Sequence, residues 1–308
     1  MKKFISNSII LFLPCLIWVF IVIIVDPFNY FNIIHLGEEE VKEKNAQTLN
    51  QLLFKTIDYI NDPTENILLG DSRTQALSID QIKSISNLDF KQLTIGASKL
   101  NELIQMIYYF QNSNEIKNIV IGINFAMFNE YAFSKRFDSI EKIINNPLLY
   151  IFNKNILEAC YYVVKGNLVD TQIQSTPNMN KKAFWDWNIK VKAKHWYGKY
   201  KYPTNLHDEI MNLDIYTKEN NINLIFIIIP HHVDFHNRLV EFGLEEEEQH
   251  FKSFLFSLNA RVIDYDYNNI ITTNRENFTD PIHYNHEVAK IIVNEVWGEN
   301  FKIGKVSK

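Results

Sequence analysis

Five short apolar runs alternate with helical patterns along most of this chain, and this alternation constrains its fold most strongly. Two runs, Ile119–Ile121 and Leu224–Ile229, are continuously apolar, which is typical of strands buried on both faces of a parallel sheet. The five predicted strands are Asn66–Leu69, Phe90–Ile95, Asn118–Ile123, Asn223–Ile229 and Arg261–Asp264. Strands that alternate with helices predict an α/β fold with right-handed crossovers. We expect a three-layer domain whose five-stranded parallel sheet has the order 2-1-3-4-5.

The N-terminal segment is apolar and carries no charge from Ile9 to Val25, between Lys2-Lys3 and Asp26. A run of about 17 residues is at the short end for a membrane-spanning helix and exceeds most signal-peptide cores. We therefore expect residues 1–26 to form a signal anchor, a single-pass transmembrane helix of the bacterial cell membrane. A cleaved signal peptide is the alternative. In either case the C-terminal domain is expected to be extracytoplasmic.

The rest of the chain divides into a predicted helical linker over residues 27–65 and an α/β domain over residues 66–300. An insertion at about 129–203 is several times longer than one crossover helix requires, so it predicts a lid, a binding surface or a subdomain. Its aromatic residues, which suit either core packing or stacking on sugar rings, are Phe184, Trp185, Trp187, Trp196, Tyr197 and Tyr200.

The composition excludes several classes of function. A net charge of −5 argues against nucleic-acid binding, because phosphate recognition needs a basic surface. The only cysteines are Cys15 and Cys160, of which the first lies in the apolar N-terminal run, so neither a disulfide framework nor a cysteine zinc site is expected. We expect no cofactor.

Two short motifs carry candidate chemistry. The first strand runs directly into Gly70-Asp71-Ser72-Arg73, at the sheet edge where open α/β folds place their ligand crevice. Near the C-terminus, Asp280-Pro281-Ile282-His283 can hold a carboxylate against Nδ1 of the imidazole, which leaves Nε2 free to face Ser72. A serine hydroxyl needs such an oriented base before it can act as a nucleophile. We expect Ser72, His283 and Asp280 to converge as a catalytic triad.

These motifs, in this order, resemble those of the SGNH (GDSL-like) hydrolases. The glycine and asparagine blocks of that family correspond to Gly96, after the second strand, and Asn124, after the third. The resemblance covers residues 66 to about 296 and implies a flavodoxin-like three-layer domain. It also implies an oxyanion hole formed by Ser72, Gly96 and Asn124, and an esterase or O-acyltransferase activity.

Two positions depart from the usual family text. Phe125 follows Asn124 where an aspartate is usual, and Arg73 replaces the usual leucine. Both departures are similar to members that act on envelope glycans, namely the alginate-type O-acetyltransferases and the accessory protein of teichoic-acid D-alanylation, which are anchored by one N-terminal helix. The resemblance therefore implies an envelope or exported polysaccharide, or another acyl ester, as substrate, and a membrane acyltransferase as a candidate partner.

Other polar residues near the predicted crevice allow more than one role. Arg73 either binds an anionic group of the substrate or pairs with a carboxylate. His231 follows the fourth strand, and we expect it to line the crevice and contact substrate. A metal site at His231, His232, Asp234 and His236 is not expected, because neighbouring histidines rarely point the same way.

Two other functions compete with an esterase or O-acyltransferase that acts on an envelope polysaccharide. A non-catalytic scaffold that keeps the fold and assists a membrane acyltransferase has no reason to retain Ser72, Asp280 and His283 together, so the enzyme is favoured. A secreted esterase for small lipids is disfavoured by the expected anchor.

Overall fold

The computed structural model describes residues 2–34, 36–112, 114–169 and 180–307, with side chains from residue 11 onward. The chain separates into two units. The first comprises residues 1–62 and 136–174, and the second comprises residues 63–135 and 175–308. Residues 170–179 of the expected insertion lie outside the described residues.

The second unit contains a six-stranded mixed sheet formed by β1 (Asn66–Gly70), β2 (Phe90–Thr94), β3 (Asn118–Ile123), β4 (Asn223–Ile228), β5 (Arg261–Asp264) and β8 (Lys305–Val306). Their order in the sheet is β2-β1-β3-β4-β5-β8. The first five are parallel and have the predicted order. The sheet is nevertheless larger than the predicted five strands, because β8 adds an antiparallel edge strand in which Val306 is opposite Ile263.

Helices cover both faces of this sheet. The helices of this unit are α3 (Ile79–Ser86), α4 (Leu100–Gln111), α8 (Lys181–Trp187), α9 (Ala193–Tyr197), α10 (Thr204–Glu219), α11 (Val233–Glu241), α12 (Glu245–Ser257) and α13 (His286–Gly298). Alternate strand residues such as Leu68, Val120 and Ile227 form one buried cluster with α3 and α13. On the strands β1, β4 and β5, the contacting helices are α4, α10 and α12. The α/β architecture predicted from the alternating runs is therefore present.

A separate two-stranded sheet joins β6 (Phe278–Asp280) to β7 (His283–Tyr284) in antiparallel fashion. The turn between them holds the Asp280-Pro281-Ile282-His283 motif. Helix α13 begins directly after β7, and Asn285 caps it by accepting a hydrogen bond from the Val288 backbone N–H at 3.1 Å. The hairpin is thus anchored on one side by a capped, largely buried helix.

The first unit is helical: α1 (Lys2–Val25), α2 (Glu39–Asn61), α5 (Arg136–Ile144), α6 (Pro147–Ile151) and α7 (Lys154–Lys165). Fully buried Asp26 fixes the turn after α1, where its carboxylate accepts backbone N–H bonds from Tyr30, Phe31 and Asn32 at 2.8 to 2.9 Å. The Tyr150 hydroxyl donates to the same carboxylate at 2.8 Å. The Asp26 carboxylate therefore joins the end of α1 to α6.

The sequence predicts a transmembrane helix within residues 1–26. In the described part of the chain, no helix has the length and apolar character that crossing a membrane requires.

Candidate active site

Close packing shapes the turn that carries Ser72. Thr74 lies against both Gly70 and Gly122, so that a Cβ added to these glycines would be 2.2 and 1.9 Å from the Thr74 Oγ1 atom. Real Cβ atoms do not approach other atoms this closely, so both positions require glycine. The end of β1 can therefore pack tightly beside β3 and turn sharply into Ser72, which is exposed.

The structure brings Ser72, His283 and Asp280 together. The Oγ atom of Ser72 lies 3.0 Å from Nε2 of His283, and Nδ1 of His283 lies 2.7 Å from Oδ2 of Asp280. A proton on Nδ1, donated to the carboxylate, leaves Nε2 as an acceptor for the serine hydroxyl. The arrangement has the order of a nucleophile, a base and a group that orients the base.

Asp280 contacts both the ring of His283 and the backbone of the turn that carries it. Its second oxygen, Oδ1, accepts the backbone N–H groups of Ile282 at 2.9 Å and His283 at 3.1 Å. Burial would raise the pKa of the Asp280 carboxyl, but the hydrogen bond and charge of His283, the Ile282 N–H and the Lys192 charge together lower it. The Asp280 carboxyl is therefore ionised at neutral pH and can orient the His283 ring.

Arg73 pairs with the carboxylate of its neighbour Asp71. Its Nη2 lies 2.6 Å from Oδ2 of Asp71, and its Nε lies 3.1 Å from the same oxygen. Burial would raise the Asp71 pKa, but the Arg73 charge and hydrogen bonds lower it. The guanidinium is 2% exposed and stacks 5.3 Å from the Trp196 ring centroid. Of the two roles that the sequence left open for Arg73, carboxylate pairing is the one seen.

Two hydrogen bonds that the sequence did not indicate fix the hairpin turn. The buried Tyr284 hydroxyl donates to the carbonyl of Arg73 at 2.6 Å, which ties the residue after His283 to the residue after Ser72. The backbone N–H of His232 donates to the carbonyl of Pro281 at 2.8 Å. A Tyr directly after the histidine is the only local signal that could have suggested the first bond.

The expected oxyanion donors lie at the ends of β1, β2 and β3. Asn124 is 4% exposed and, with Ser72, lines a cavity of about 870 Å³. Within the described residues its Oδ1 atom has no hydrogen-bond partner. Gly96 is exposed in the turn after β2, and the following residues Ala97 and Ser98 line the same cavity. The Ser98 hydroxyl donates to the Gly70 carbonyl at 3.1 Å and holds this turn against β1.

His231 is buried rather than facing the crevice, in contrast to the expectation from its position after β4. It is 3% exposed, and its Nδ1 lies 2.8 Å from Oδ1 of Asp266, which follows β5. The neighbouring His232 caps α11 by accepting the Asp234 N–H at 3.1 Å. Across the described residues, no three His, Cys, Asp or Glu side chains are placed to bind a metal ion.

Part of the aromatic insertion packs in the core and part lines the cavity. Trp185 and Tyr197 are each 4% exposed. Trp196 and several neighbours lie along the cavity, on the π-helical turn Asn188–Lys192 and on α9. The insertion thus contributes one wall of the space beside Ser72.

Several solved structures are similar to this chain, among them the following two. One is a protein from Desulfitobacterium hafniense DCB-2 assigned to the lipolytic G-D-S-L family, at 10% identity and a TM-score of 0.40, covering 76% of this chain and 98% of that one. The other, from Streptococcus pneumoniae, is assigned as a platelet activating factor, at 8% identity and a TM-score of 0.40, covering 85% and 94%. Neither likeness is close enough to assign a function. No protein-family model and no curated protein matches the chain.

Proposed function

We propose that this protein is a serine esterase or O-acyltransferase of the SGNH kind, with Ser72 as nucleophile, His283 as general base and Asp280 as the residue that orients the base. One observation carries this proposal: the 3.0 Å contact from Ser72 Oγ to His283 Nε2, continued by the 2.7 Å contact from His283 Nδ1 to Asp280. Ser72 is exposed beside a cavity large enough for a substrate, as a nucleophile must be.

The reaction would proceed by two acyl transfers. As Ser72 Oγ bonds to the ester carbonyl carbon, its proton passes to Nε2 of His283. The tetrahedral intermediate collapses when the C–O bond of the leaving alcohol breaks and His283 returns the proton to that oxygen. Water or a sugar hydroxyl then attacks the acyl-serine in the same way and regenerates Ser72.

Negative charge on the carbonyl oxygen needs donors that are already in place. The Asn124 side-chain amide, with the backbone N–H groups of Ser72 and Gly96, would supply them. Asn124 is buried, so its position is fixed before substrate arrives and little reorganisation is needed.

The proposed substrate is an acyl ester of an envelope or exported polysaccharide, and the proposed location is the outer side of the bacterial cell membrane. The uncharged run from Ile9 to Val25 supports attachment to the membrane, and Trp196 in the cavity wall supports contact with a sugar ring. A membrane acyltransferase would be a partner if the acyl group is delivered from the cytoplasm. Extraction of native membranes with alkaline carbonate tests the location: release of the chain with peripheral proteins would contradict an integral anchor.

The activity is tested by hydrolysis of an activated aryl acetate by the purified full-length protein. The wild type and Ser253→Ala, which removes an exposed serine of α12, are expected to release the aryl alcohol at equal rates. Ser72→Ala is expected to fall to the uncatalysed rate while keeping its circular dichroism spectrum. If the wild type and Ser72→Ala show the same rate on aryl acetate and on acetylated oligosaccharides, the scaffold function replaces the enzyme.

A further inference from the structure

The cavity beside Ser72 is basic although the whole protein is acidic. The chain has 31 Lys and Arg residues and 36 Asp and Glu residues, so about half of any random set of its charged residues should be acidic. Among the described residues that line the cavity, five of the six charged ones are basic. They are Arg73, Lys99, Lys192, Lys194 and Lys199, against the single acid Asp71.

The one acid does not neutralise the lysines. Asp71 is held by Arg73 through contacts of 2.6 and 3.1 Å, so these two charges cancel each other. Within the described part of the chain, Lys192, Lys194 and Lys199 form no ion pair. The positive charge of the lysines is therefore left facing the cavity.

Lys192 shows that this charge is not simply a solvated surface. Its side chain is only partly exposed, and burial, assisted by the charge of Arg73, lowers the pKa of its ammonium group against the opposing charge of Asp280. Placing a lysine in a partly buried position without an ion-pair partner is unfavourable unless an anion completes the site. The proximity of Lys192 to Asp280 also places this charge near the proposed triad.

Two of the cavity lysines, Lys192 and Lys194, lie on one continuous helical segment. The π-helical turn Asn188–Lys192 continues into α9, and Gly198 ends that helix. A π-turn shifts the phase of the side chains that follow it, and such turns are frequent at functional sites. Val191, Lys192, Lys194 and His195, which lie on this continuous segment, all line the cavity.

We propose that the cavity binds a substrate that carries an anionic group, a carboxylate or a phosphate, beside the ester that Ser72 attacks. Lys192, Lys194 and Lys199 contact that group. This inference rests on the proposed function for the ester, but anion binding itself can be measured without turnover.

Competition during aryl acetate hydrolysis tests the inference. The inhibitors are oligogalacturonate for the carboxylate, a glycerol-phosphate oligomer for the phosphate, and a malto-oligosaccharide of equal length as the neutral reference. At least one anionic oligomer should inhibit the wild type about tenfold more strongly than the neutral one, the effect of roughly three modest ionic contacts. The preference should weaken in 0.5 M salt, because the Debye length is then on the order of 4 Å and the charges are screened.

The triple variant K192Q/K194Q/K199Q should lose this preference, measured as the ratio of the neutral to the anionic inhibition constant. The matched control K181Q/K182Q/K302Q removes three exposed lysines that do not line the cavity and should keep the wild-type ratio. Equal inhibition of the wild type by anionic and neutral oligomers would overturn the inference, and so would an unchanged ratio in the triple variant.

Direct titration of Ser72→Ala with the same oligomers, followed by tryptophan fluorescence, separates the two proposals. Trp196 lines the cavity and should report occupancy without turnover. Anion-selective binding by Ser72→Ala, together with a wild type that hydrolyses no ester, would contradict the enzyme and retain the anion site. Ester hydrolysis without anion selectivity would retain the enzyme and reject the anion site. The stronger of the two anionic oligomers identifies the group as carboxylate or phosphate.

Discussion

Asn124 and Asp280 are proposed to stabilise opposite charges during the reaction. Through its 2.7 Å hydrogen bond Asp280 would stabilise positive charge on His283, whereas Asn124 would stabilise negative charge on the substrate oxygen. Both side chains are buried, so their dipoles and charges act in surroundings that screen them less than water does. Each contribution can be tested by removing one side chain.

Asn124→Ala should lower kcat for aryl acetate by about 100- to 1,000-fold, the usual effect of losing one oxyanion donor. Asn188→Ala is the matched control, because Asn188 is also buried and its Oδ1 also has no partner in the described residues. It does not line the cavity, and it should change stability without a comparable change in kcat. Equal losses of kcat in the two variants would reject Asn124 as an oxyanion donor.

At the scale of elements, the serine turn and the hairpin β6–β7 are held together by the bond from the Tyr284 hydroxyl to the Arg73 carbonyl. Its length is 2.6 Å, and both groups are buried. Because Ser72 and His283 are the adjacent residues, a loss of this bond should loosen the 3.0 Å contact between them. Tyr284 is thus expected to position the site without touching substrate.

Tyr284→Phe should reduce stability by about 1 to 3 kcal/mol, since a buried carbonyl loses its donor, and it should also lower kcat with little change in KM. Tyr267→Phe provides the control, because its hydroxyl makes an equally short 2.6 Å bond to the Ile303 carbonyl and does not line the cavity. Urea unfolding and steady-state kinetics measure both effects. A kcat for Tyr284→Phe no lower than that of Tyr267→Phe would show that the bond has only a structural role.

A cluster of charged residues lies between helix α12 and the end of strand β5. The Nζ atom of Lys252 in α12 lies 3.2 Å from Oδ2 of Asp264 and 3.4 Å from Oε1 of Glu248, and His231 bonds to Asp266. Burial raises the pKa of Glu248 to about 7, although the Lys252 charge opposes the change. The folded protein therefore retains a proton on Glu248 at pH values where the unfolded chain, with the ordinary value of 4.5, has released it.

This raised pKa makes part of the stability depend on pH. The contribution is present below pH 4.5 and is lost as pH rises toward about 7, because folding then opposes ionisation of Glu248. Between pH 5 and pH 8 the unfolding free energy of the wild type should fall as Glu248 ionises. In Glu248→Gln this fall should be smaller, by on the order of 1 to 3 kcal/mol. Glu246→Gln, an exposed change on the same helix, should follow the wild type. Parallel pH profiles for the wild type and Glu248→Gln would contradict the raised pKa.

At the scale of the molecule, the continuously apolar runs predict the parallel strands because burial on both faces leaves a direct pattern in sequence. Strand β8 leaves none, since Lys305–Val306 is too short for any periodicity and pairs with β5 only through tertiary packing. The sequence also does not show that residues 136–174 of the insertion belong to the first unit, with residues 1–62. Amphipathic helices such as α7 show which face is apolar but not which helices it contacts.

The candidate site was predictable where its parts are local in sequence. Gly70-Asp71-Ser72 lies at the end of β1, and Asp280 to His283 lie in the turn of the separate hairpin β6–β7. The bond from the Tyr284 hydroxyl to the Arg73 carbonyl joins the two turns. His231 was placed at the crevice by the same reasoning, but Asp266 from the next strand binds its ring and holds it inside. The lysines of the cavity come from separate segments, one before α4 and the others on the π-helical turn, in α9 and just after it, and the sequence does not show that these segments lie side by side.

Covalent labelling with a fluorophosphonate tests the central claim, an activated Ser72, most directly. Attack by Ser72 Oγ forms an O–P bond, expels fluoride and transfers the hydroxyl proton to His283, as in the first acyl transfer. Intact mass spectrometry should show one adduct on wild-type protein, mapped to Ser72, and none on Ser72→Ala. His283→Ala should label at least about 100-fold more slowly than the wild type, because it lacks the general base. Two results would contradict an activated serine at this position: a folded wild-type protein that stays unlabelled, or Ser72→Ala that labels as fast as the wild type.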